Sequence, residues 1–237
     1  MSTYSNKTTN ISNLPLMIDF NHVSVKYGNL SALNNIDFKL YKQDFLYIIG
    51  PNGGGKSTLV KSILNLVKPS AGTIDITTKK IGYLPQTLNS KSNFPITVSE
   101  VIYSGFNNQR LFVSKKDHEL IDKWLIEMDL LDYKNEMMAT LSGGQQQRVF
   151  FIRSIISNPE ILILDEPTSA LDPDFRTKFY KLIHKLNDEG MTIIFVTHDV
   201  NNLDCDNHIL MYVDQEVKYF GSLKDFKSHN KGGHDHV

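Results

Sequence analysis

Residues 45–58 read Phe45-Leu46-Tyr47-Ile48-Ile49-Gly50-Pro51-Asn52-Gly53-Gly54-Gly55-Lys56-Ser57-Thr58. An apolar run is followed there by a glycine-rich loop. Beyond the loop, apolar side chains recur at helical spacing at Leu59, Val60, Ile63, Leu64 and Val67. The stretch therefore predicts a strand, a loop and a helix, and the loop has the spacing G-x-x-x-x-G-K-[ST] of loops that enclose phosphate groups.

Each residue type in this loop has a chemical task. Glycines adopt backbone angles that side chains forbid, so that successive N–H groups can turn toward one anion. The start of the following helix adds unpaired N–H groups and the positive end of the helix dipole. Lys56 adds a positive charge, and Ser57 adds a hydroxyl that can bind Mg²⁺. The sequence therefore predicts a nucleotide phosphate site at residues 50–58.

The composition limits the classes of function. The chain has 237 residues, enough for a large hydrophobic interior, and a net charge of -1, which gives no support to a nucleic-acid-binding role. The single cysteine, Cys205, excludes an internal disulfide framework and suits a reducing cytosol. No apolar run of about 18 residues and no signal-peptide pattern is present, so we expect any membrane span to come from another subunit.

Two strands are predicted before the phosphate loop. Apolar residues alternate over 18–27 and again over 36–40, with a turn between the two runs. The alternation changes phase between Phe20 and Val23. Residues 1–16 are rich in Ser, Thr and Asn, and we expect them to form a flexible extension.

Short strands and helices are predicted after the phosphate loop. Strands are expected at 73–76 and 81–84, and Gln86 follows the second of them. Thr97-Val98-Ser99-Glu100 is a capping-box pattern that begins a helix. A further helix is expected over 120–131, where apolar residues again recur at helical spacing.

Polar residues follow two further buried strands. Ile161-Leu162-Ile163-Leu164 leads into Asp165 and Glu166, and the strand at 192–196 leads into His198. In parallel sheets such residues lie at the carboxyl edge, where ligands bind. Ser142-Gly143-Gly144 begins a helix whose first N–H groups form a second candidate for contact with an anion.

The polar residues that follow predicted strands, namely Lys56 with Ser57, Gln86, Asp165 with Glu166, and His198, are expected to share one sheet edge. Together with Leu141-Ser142-Gly143-Gly144-Gln145, they make the chain resemble the nucleotide-binding subunits of ATP-binding cassette (ABC) transporters over residues 17–221. The resemblance implies an α/β fold. Its core is that of a P-loop NTPase (RecA-like) with a parallel sheet, to which an N-terminal antiparallel β subdomain and a helical insertion subdomain are added. It also implies an Mg-dependent ATPase whose hydrolysis is coupled to transport.

The resemblance assigns roles to the motif residues. ATP binding is implied for Tyr27, whose ring would stack on adenine, and for Gly50, Pro51, Asn52, Gly53, Gly54, Gly55, Lys56, Ser57 and Thr58 of the Walker A loop. Catalysis is implied for Glu166, His198, Lys56 and Gln86, and Mg²⁺ binding for Ser57, Gln86 and Asp165. The family signature corresponds to Leu141, Ser142, Gly143, Gly144 and Gln145, and the D-loop to Ser169, Ala170, Leu171 and Asp172.

Considered one by one, several of these residues also fit simpler roles. Packing would account for Tyr27, a structural role for His198, and a solvated turn for the adjacent acidic residues Asp165 and Glu166. Only their positions after predicted strands, and the resemblance, favour the roles given above.

The resemblance also implies a domain plan and partners. The plan has the extension at 1–16, an ABC ATPase domain at 17–221 with a helical insertion at about 87–157, and a polar, histidine-bearing tail at 222–237. Two copies would pair head to tail when ATP is bound, so that each signature contacts the ATP of the other copy. The other implied partners are polytopic permease subunits and an extracytoplasmic solute-binding protein, with no nucleic acid. We expect a peripheral subunit at the cytoplasmic face of the cell membrane.

Two stretches resemble the cassettes of zinc and manganese importers. They are the phosphate loop, with Gly54 where alanine is common, and Phe94-Pro95-Ile96-Thr97-Val98. The tail adds His229, His234 and His236, which either bind zinc or belong to a solvated, disordered segment. A cassette for another solute, an exporter, and a soluble ABC ATPase without a transport role stay open as alternatives.

Overall fold

The computed structural model describes residues 14–86, 95–106, 114–199, 203 and 208–231, without the side chains of 229–231. The regular elements in chain order are β1 (Leu16–Tyr27), β2 (Leu30–Tyr41), β3 (Phe45–Ile49), α1 (Lys56–Ile63), β4 (Ala71–Ile76), β5 (Ile81–Leu84), α2 (Val98–Tyr103), α3 (Lys115–Glu127), α4 (Gly143–Ile155), β6 (Ile161–Asp165), α5 (Pro173–Asp188), β7 (Thr192–Val196), β8 (Ile209–Asp214), β9 (Glu216–Ser222) and α6 (Leu223–Lys231). The residues form two compact units, Met1–Lys79 with Thr192–Val237 and Lys80–Met191.

The first unit contains an antiparallel sheet in the order β2-β1-β4. The predicted change of phase between Phe20 and Val23 is confirmed as a register shift in the pairing of β1 with β2. His22 lies in this irregularity with a φ of 52°, and its N–H donates to Asp37 Oδ1 at 2.8 Å. The extra residue lets the apolar side chains on either side of the shift face the same core, where Phe20 and Phe38 stack with ring centroids 4.6 Å apart.

The first unit also contains the strand that leads into the phosphate loop. β3 lies between β7 and β8 and is parallel to both, and β9 pairs antiparallel with β8. All residues of β3 and β7 are buried, which explains why both strands are apolar except for Thr192 at the start of β7. Ile48 pairs with Val196. The chain therefore leaves β3 and β7 at the same level of the sheet, and this level carries the candidate site residues of the first unit.

Helix α1 is shorter than the apolar spacing predicted. The pattern extended to Val67, whereas the helix ends at Ile63. Asn65 takes a left-handed conformation with a φ of 55°, and Leu66 N–H donates to the carbonyl of Lys61 at 2.8 Å. This arrangement satisfies carbonyl groups of the last turn and stops the helix. Apolar spacing beyond Ile63 therefore reflects packing of an irregular segment, not of a helix.

Among its described residues, the second unit contains a parallel pair of strands, four α-helices and two short 3-10 helices, Leu131–Tyr133 and Met138–Thr140. β5 and β6 are parallel, with Leu84 opposite Leu164. Helix α2 begins at the predicted capping box, in which Thr97 and Glu100 each bond the other's N–H group. Helix α3 ends at Glu127, so the last residues of the predicted 120–131 helix lie beyond it. Rings from α4 and α5, Phe151 and Phe179, meet edge to face.

A helix lies within the polar, histidine-bearing stretch predicted at 222–237, where the sequence shows no periodic apolar face: Leu223–Lys231 forms α6. Ser222 Oγ accepts the N–H of Asp225 at 3.1 Å, and the Phe226 ring lies 5.2 Å from that of Tyr219. Leu223 is fully buried. A short helix is therefore anchored by two apolar side chains and a cap.

Some predictions lie outside the described residues. They concern the extension up to residue 13, Phe94, Cys205, the side chain of His229, and residues His234 and His236. The predicted domain boundaries, at 17–221 and about 87–157, stay predictions.

Candidate nucleotide-binding site

The phosphate loop, residues 50–58, is held in place by the β8–β9 hairpin. Gly50 has a φ of 148°, and a β-carbon on it would lie 2.0 Å from the carbonyl oxygen of Val213, so only glycine fits there. Gln215, between the two strands of the hairpin, donates its N–H to the carbonyl of Gly54 at 2.8 Å. The carbonyl of Gln215 in turn accepts the N–H of Asn34 at 2.7 Å. Main-chain contacts therefore fix the path of the loop.

Lys56 directs its charge into the loop. Its side chain is buried, and Nζ donates to the carbonyl oxygens of Gly50 at 2.8 Å and Pro51 at 2.9 Å. The loop therefore wraps around an ammonium group that it holds with its own main chain. A positive charge in this position suits a phosphate chain bound along the loop.

The start of α1 also suits an anion. Gly55, its N-cap, is left-handed with a φ of 97°, no side chain caps the helix, and no acidic residue occurs in its first turn. By contrast, α2, α3, α4 and α5 each begin with a side chain that accepts a first-turn N–H, from Thr97, Ser114, Ser142 and Asp172 respectively. The first N–H groups of any helix lack acceptors within the helix. In α1 these donors therefore suit an external anion such as phosphate.

The first unit places two further predicted residues. Tyr27 ends β1 and is 46% exposed, so its ring has surface available for stacking on a planar base. His198 follows β7, and the pairing of Ile48 with Val196 puts it at the same level of the sheet as Gly50. The neighbouring turn is closed by the N–H of Asp199, which donates to Thr197 Oγ1 at 3.0 Å. The structure thus brings His198 and the phosphate loop to one edge.

The second unit brings Gln86, Asp165 and Glu166 together in the same manner. Leu84 lies opposite Leu164, and Gln86 and Glu166 each come two residues after this pair. Asp165 is buried at the end of β6, and Glu166 has a left-handed backbone with a φ of 49°. Carboxylate and amide oxygens are ligands that Mg²⁺ prefers in proteins, as is the hydroxyl of the exposed Ser57 in the first unit. The predicted donor set therefore fits the chemistry of Mg²⁺.

The charge of Asp165 is felt by a neighbouring side chain. Burial raises the pKa of Tyr83 on β5 to about 12, and the carboxylate of Asp165 adds to this rise. A phenol at this position stays protonated at neutral pH. At neutral pH, Tyr83 therefore adds no second negative charge beside the carboxylate of Asp165.

The signature residues form the start of α4. Ser142 Oγ accepts the N–H of Gln145 at 3.3 Å, and Gln145 Oε1 accepts the N–H of Ser142 at 2.9 Å. Fewer N–H groups are therefore free for an anion than the sequence predicted, because the cap uses the N–H of Gln145. Those of Gly143 and Gly144 have no acceptor within the helix. A β-carbon on Gly143 would meet nothing within 4 Å, which leaves space for a ligand to approach.

The D-loop, residues 169–172, lies between β6 and α5. Asp172 caps α5 by accepting the N–H of Phe175 at 2.8 Å, and Arg176 Nη2 donates to the carbonyl of Leu171 at 3.4 Å. A β-carbon on Gly144 would lie 2.8 Å from the carbonyl oxygen of Ala170. The signature and the D-loop of one chain are therefore in main-chain contact.

Gln147 joins the same region, although no motif pattern selects it. Its side chain is buried on α4, where Nε2 donates to the carbonyl of Glu166 at 3.4 Å. Its Oε1 accepts the N–H of Ala170 at 3.3 Å. The only sequence signal is a polar residue on the buried face of a helix, which is too common to identify a site.

A comparison with protein families decides the assignment. The family model described as ABC transporter matches residues 33–169, more than half of the chain. The chain belongs to the ABC transporter family.

Relatives of this ABC chain match it over most of their length. It is 39% identical over 225 residues to the zinc uptake system ATP-binding protein ZurA of Listeria monocytogenes, covering 89% of this chain and 88% of that protein. It is 34% identical over 199 residues to the high-affinity zinc uptake system ATP-binding protein ZnuC of Bacillus subtilis, covering 79% and 86%.

Solved structures of ABC cassettes share the fold. The dimeric structure of MJ0796, described as a bacterial ABC transporter cassette, matches with a TM-score of 0.76 at 31% identity and covers 87% of this chain and 99% of that one. A dimeric post-hydrolysis state of the same cassette, bound to ADP and Pi, matches with a TM-score of 0.75 at 29% identity and the same coverage.

Membership of the ABC family confirms the predicted fold class and the prediction of an ATP-hydrolysing transporter subunit. Nucleotide binding is part of that assignment. None of the helices in the described part of the chain combines the length and the hydropathy needed to span a bilayer. The roles of the individual motif residues stay predictions.

Proposed function

We propose that this ABC cassette hydrolyses ATP to energise the import of a divalent metal ion, with zinc as the cargo. The observation that carries the proposal is the 39% identity with a zinc uptake ATP-binding protein along nearly the whole of both chains. Zinc is preferred to manganese because the names of the relatives specify zinc. The glycine-rich sequence of the phosphate loop supports the same class of cassette.

In this proposal the residues of the first unit bind ATP. Tyr27 stacks on the adenine ring, and the loop from Gly50 to Thr58 encloses the phosphates with its N–H groups. The buried ammonium group of Lys56 exchanges its bonds to the carbonyls of Gly50 and Pro51 for bonds to phosphate oxygens. His198, at the same edge as the loop, hydrogen-bonds the terminal phosphate.

Hydrolysis also uses the residues of the second unit. Glu166 accepts a proton from the attacking water, and Gln86 helps to hold the metal. Ser57, Gln86 and Asp165 would hold Mg²⁺, which would neutralise phosphate charge when bound. This ligand set is supported by the hydroxyl, amide and carboxylate oxygen atoms of these side chains, because Mg²⁺ prefers oxygen ligands.

The proposed partners follow from the start of α4. Gly143 and Gly144 offer N–H donors beyond those needed by their own helix, and a second copy pairing head to tail would place its ATP against them. The dimeric cassettes among the solved structures support such pairing. Polytopic permease subunits at the cytoplasmic face of the membrane would couple dimer closure to transport, and an extracytoplasmic solute-binding protein would deliver zinc.

Radioactive zinc uptake tests the cargo. Cells lacking this chain are compared with cells carrying the wild type or Glu166→Gln, in medium depleted of zinc and with manganese uptake measured in parallel. We expect the wild type to restore zinc uptake and growth, and Glu166→Gln to restore neither despite equal expression. Restoration of manganese uptake alone would show that manganese, and not zinc, is the cargo. Raised cellular zinc in the strain that lacks this chain would indicate export.

Purification of the chain from detergent-solubilised membranes tests the transporter role. We expect a polytopic membrane protein to copurify with the wild-type chain. Recovery of soluble assemblies alone would favour an ABC ATPase without a transport role.

A further inference from the structure

One buried side chain connects the signature helix with the segment that follows β6. Gln147 on α4 is 3% exposed. Its Nε2 donates to the carbonyl oxygen of Glu166 at 3.4 Å, and its Oε1 accepts the N–H of Ala170 at 3.3 Å. A glutamine amide presents a donor and an acceptor in one rigid plane. A single side chain therefore holds both ends of the turn from Glu166 to Ala170.

The backbone at Glu166 needs such support. Its φ of 49° is left-handed, a conformation that side-chain-bearing residues adopt only at a cost in free energy. The carbonyl of Glu166 accepts two hydrogen bonds, from Gln147 and from the N–H of Ser169 at 3.3 Å. These bonds fix the peptide plane after Glu166. Because the carboxylate extends from the same Cα atom, its direction depends on this conformation.

A second contact connects α4 with the same turn. A β-carbon on Gly144 would lie 2.8 Å from the carbonyl oxygen of Ala170, so the two main chains are in close contact. Gly144 and Gln147 are three residues apart and lie on one face of the helix. This face carries signature residues at one end and the amide of Gln147 one turn later. Helix α4 therefore contacts the turn from Glu166 to Ala170 at two points, through the amide of Gln147 and through the main chain of Gly144.

We propose that Gln147 is a positioning residue for Glu166. Its amide keeps Glu166 in the left-handed conformation and couples the orientation of the catalytic carboxylate to the position of the signature helix. This inference rests on the proposed function, in which Glu166 acts at the ATP of its own chain and the signature contacts the ATP of a second copy. One helix thus serves both sites, so that closure on one nucleotide changes the catalytic competence of the other.

Three variants of the intact protein test this role. Gln147→Met keeps the length of the side chain and removes both the donor and the acceptor. Gln147→Glu keeps an acceptor for the N–H of Ala170 but offers the carbonyl of Glu166 no donor when ionised. Asn187→Leu is the matched control, because Asn187 is also a buried amide of the second unit, 8% exposed, and donates to the carbonyl of Met191 at 2.7 Å.

The readouts are kcat, KM for ATP, the Hill coefficient for ATP and the thermal midpoint. We expect Gln147→Met to lower kcat between about 10-fold and 100-fold, since small misplacement of a catalytic group has effects of this size. The KM for ATP should stay within about twofold, because the ATP-binding loop is untouched. The Hill coefficient should fall toward one as the coupling is lost. Gln147→Glu should show the same direction, and Asn187→Leu should lower the thermal midpoint with kcat unchanged.

A double variant separates positioning from general packing. If Gln147 acts through Glu166, adding Gln147→Met to Glu166→Gln causes no further loss of the residual ATPase rate. Fully additive losses, an unchanged kcat in Gln147→Met, or an equal loss of kcat in Asn187→Leu would each overturn the inference. A wild-type protein without ATPase activity would instead contradict the proposed function, before any variant is compared.

Discussion

Gly54 and Val213 are in contact through their main chains: a β-carbon on Gly54 would lie 2.8 Å from the carbonyl oxygen of Val213. The same β-carbon would lie 3.0 Å from the carbonyl oxygen of Pro51. Both neighbours are backbone atoms, so neither can move away by a change of rotamer. The alanine that is common at this position in related loops therefore does not fit the phosphate loop of this chain without a shift of the backbone.

Gly54→Ala should lower the free energy of unfolding by about 1–3 kcal/mol, which is typical of an extra carbon in a filled space. It should also weaken ATP binding, because the loop has to move. Urea unfolding and titration with a fluorescent ATP analogue measure the two effects. Gly143→Ala, at a position where nothing lies within 4 Å, is the control for stability and should not lower the free energy of unfolding. Equal stability of both variants would contradict the close contact between Gly54 and Val213.

Tyr27→Ala should lower ATP affinity about fivefold to tenfold, because stacking of an aromatic ring on a base contributes on the order of 1 kcal/mol or more. The free energy of unfolding should change little, since the ring is 46% exposed. Leu30→Ala is the matched control: Leu30 is the cross-strand partner of Tyr27 and is 65% exposed. Tyr27→Phe should bind ATP as the wild type does. Unchanged affinity in Tyr27→Ala would show that the ring only packs.

Glu166→Gln should retain ATP binding and lose steady-state hydrolysis by a factor of about 10²–10⁴, the range expected for removal of a general base. The amide has nearly the same shape as the carboxylate but cannot accept the proton from water. Phosphate release and ATP-dependent dimerisation are measured on the same sample. We expect the variant to accumulate as an ATP-bound dimer. Phosphate release near the wild-type rate would remove Glu166 from the catalytic role.

Acid should loosen the start of α2 through Glu100. The N–H and then the hydroxyl of Thr97 donate to its carboxylate, at 2.8 Å and 2.7 Å, and they lower the pKa of Glu100 from its ordinary value of 4.5. The ionised carboxylate therefore stabilises the cap fully above the ordinary pKa of 4.5. This stabilisation is lost as the pH falls through the lowered pKa of the folded state. Amide exchange in the first turn of α2, followed by NMR from about pH 6 to about pH 3, measures the effect.

Glu100→Gln provides the comparison for the acid experiment, because glutamine can close the same capping box without ionising. Its first turn should show a weaker dependence on pH than that of the wild type. Glu119→Gln is the control for removal of an exposed acidic residue, and its α2 exchange should follow the wild type. Identical pH profiles for Glu100→Gln and the wild type would indicate that Glu100 does not hold the cap.

Features encoded by neighbouring residues could be predicted from the sequence. The capping box at Thr97 depends on side chains three residues apart, and the register shift near His22 appears as a change of alternation. The common edge of Gly50 and His198 follows from the rule that parallel strands align their carboxyl ends.

Features that depend on distant residues could not be predicted in this way. Helix α6 forms on few apolar residues because Leu223 is buried by the rest of its unit and Phe226 contacts Tyr219. Gln147 has no distinctive neighbours, and its role becomes visible only when Glu166 and Ala170 are in place. These contacts result from tertiary packing, which local propensity does not determine.

Strand β7 illustrates a further consequence of packing on two sides. It is buried along its whole length, so hydrophobicity alone does not distinguish one pairing with β3 from the next. The pairing is set at the strand ends, where Gln43 N–H donates to Thr192 Oγ1 at 3.0 Å and Thr197 N–H donates to the carbonyl of Ile48 at 3.1 Å. A one-residue insertion of an apolar residue between these ends would keep the strand hydrophobic. It would nevertheless shift the alternation of side chains by one residue and place His198 on the opposite side. The number of residues in β7, and not their hydrophobicity, therefore decides on which side of the chain His198 lies.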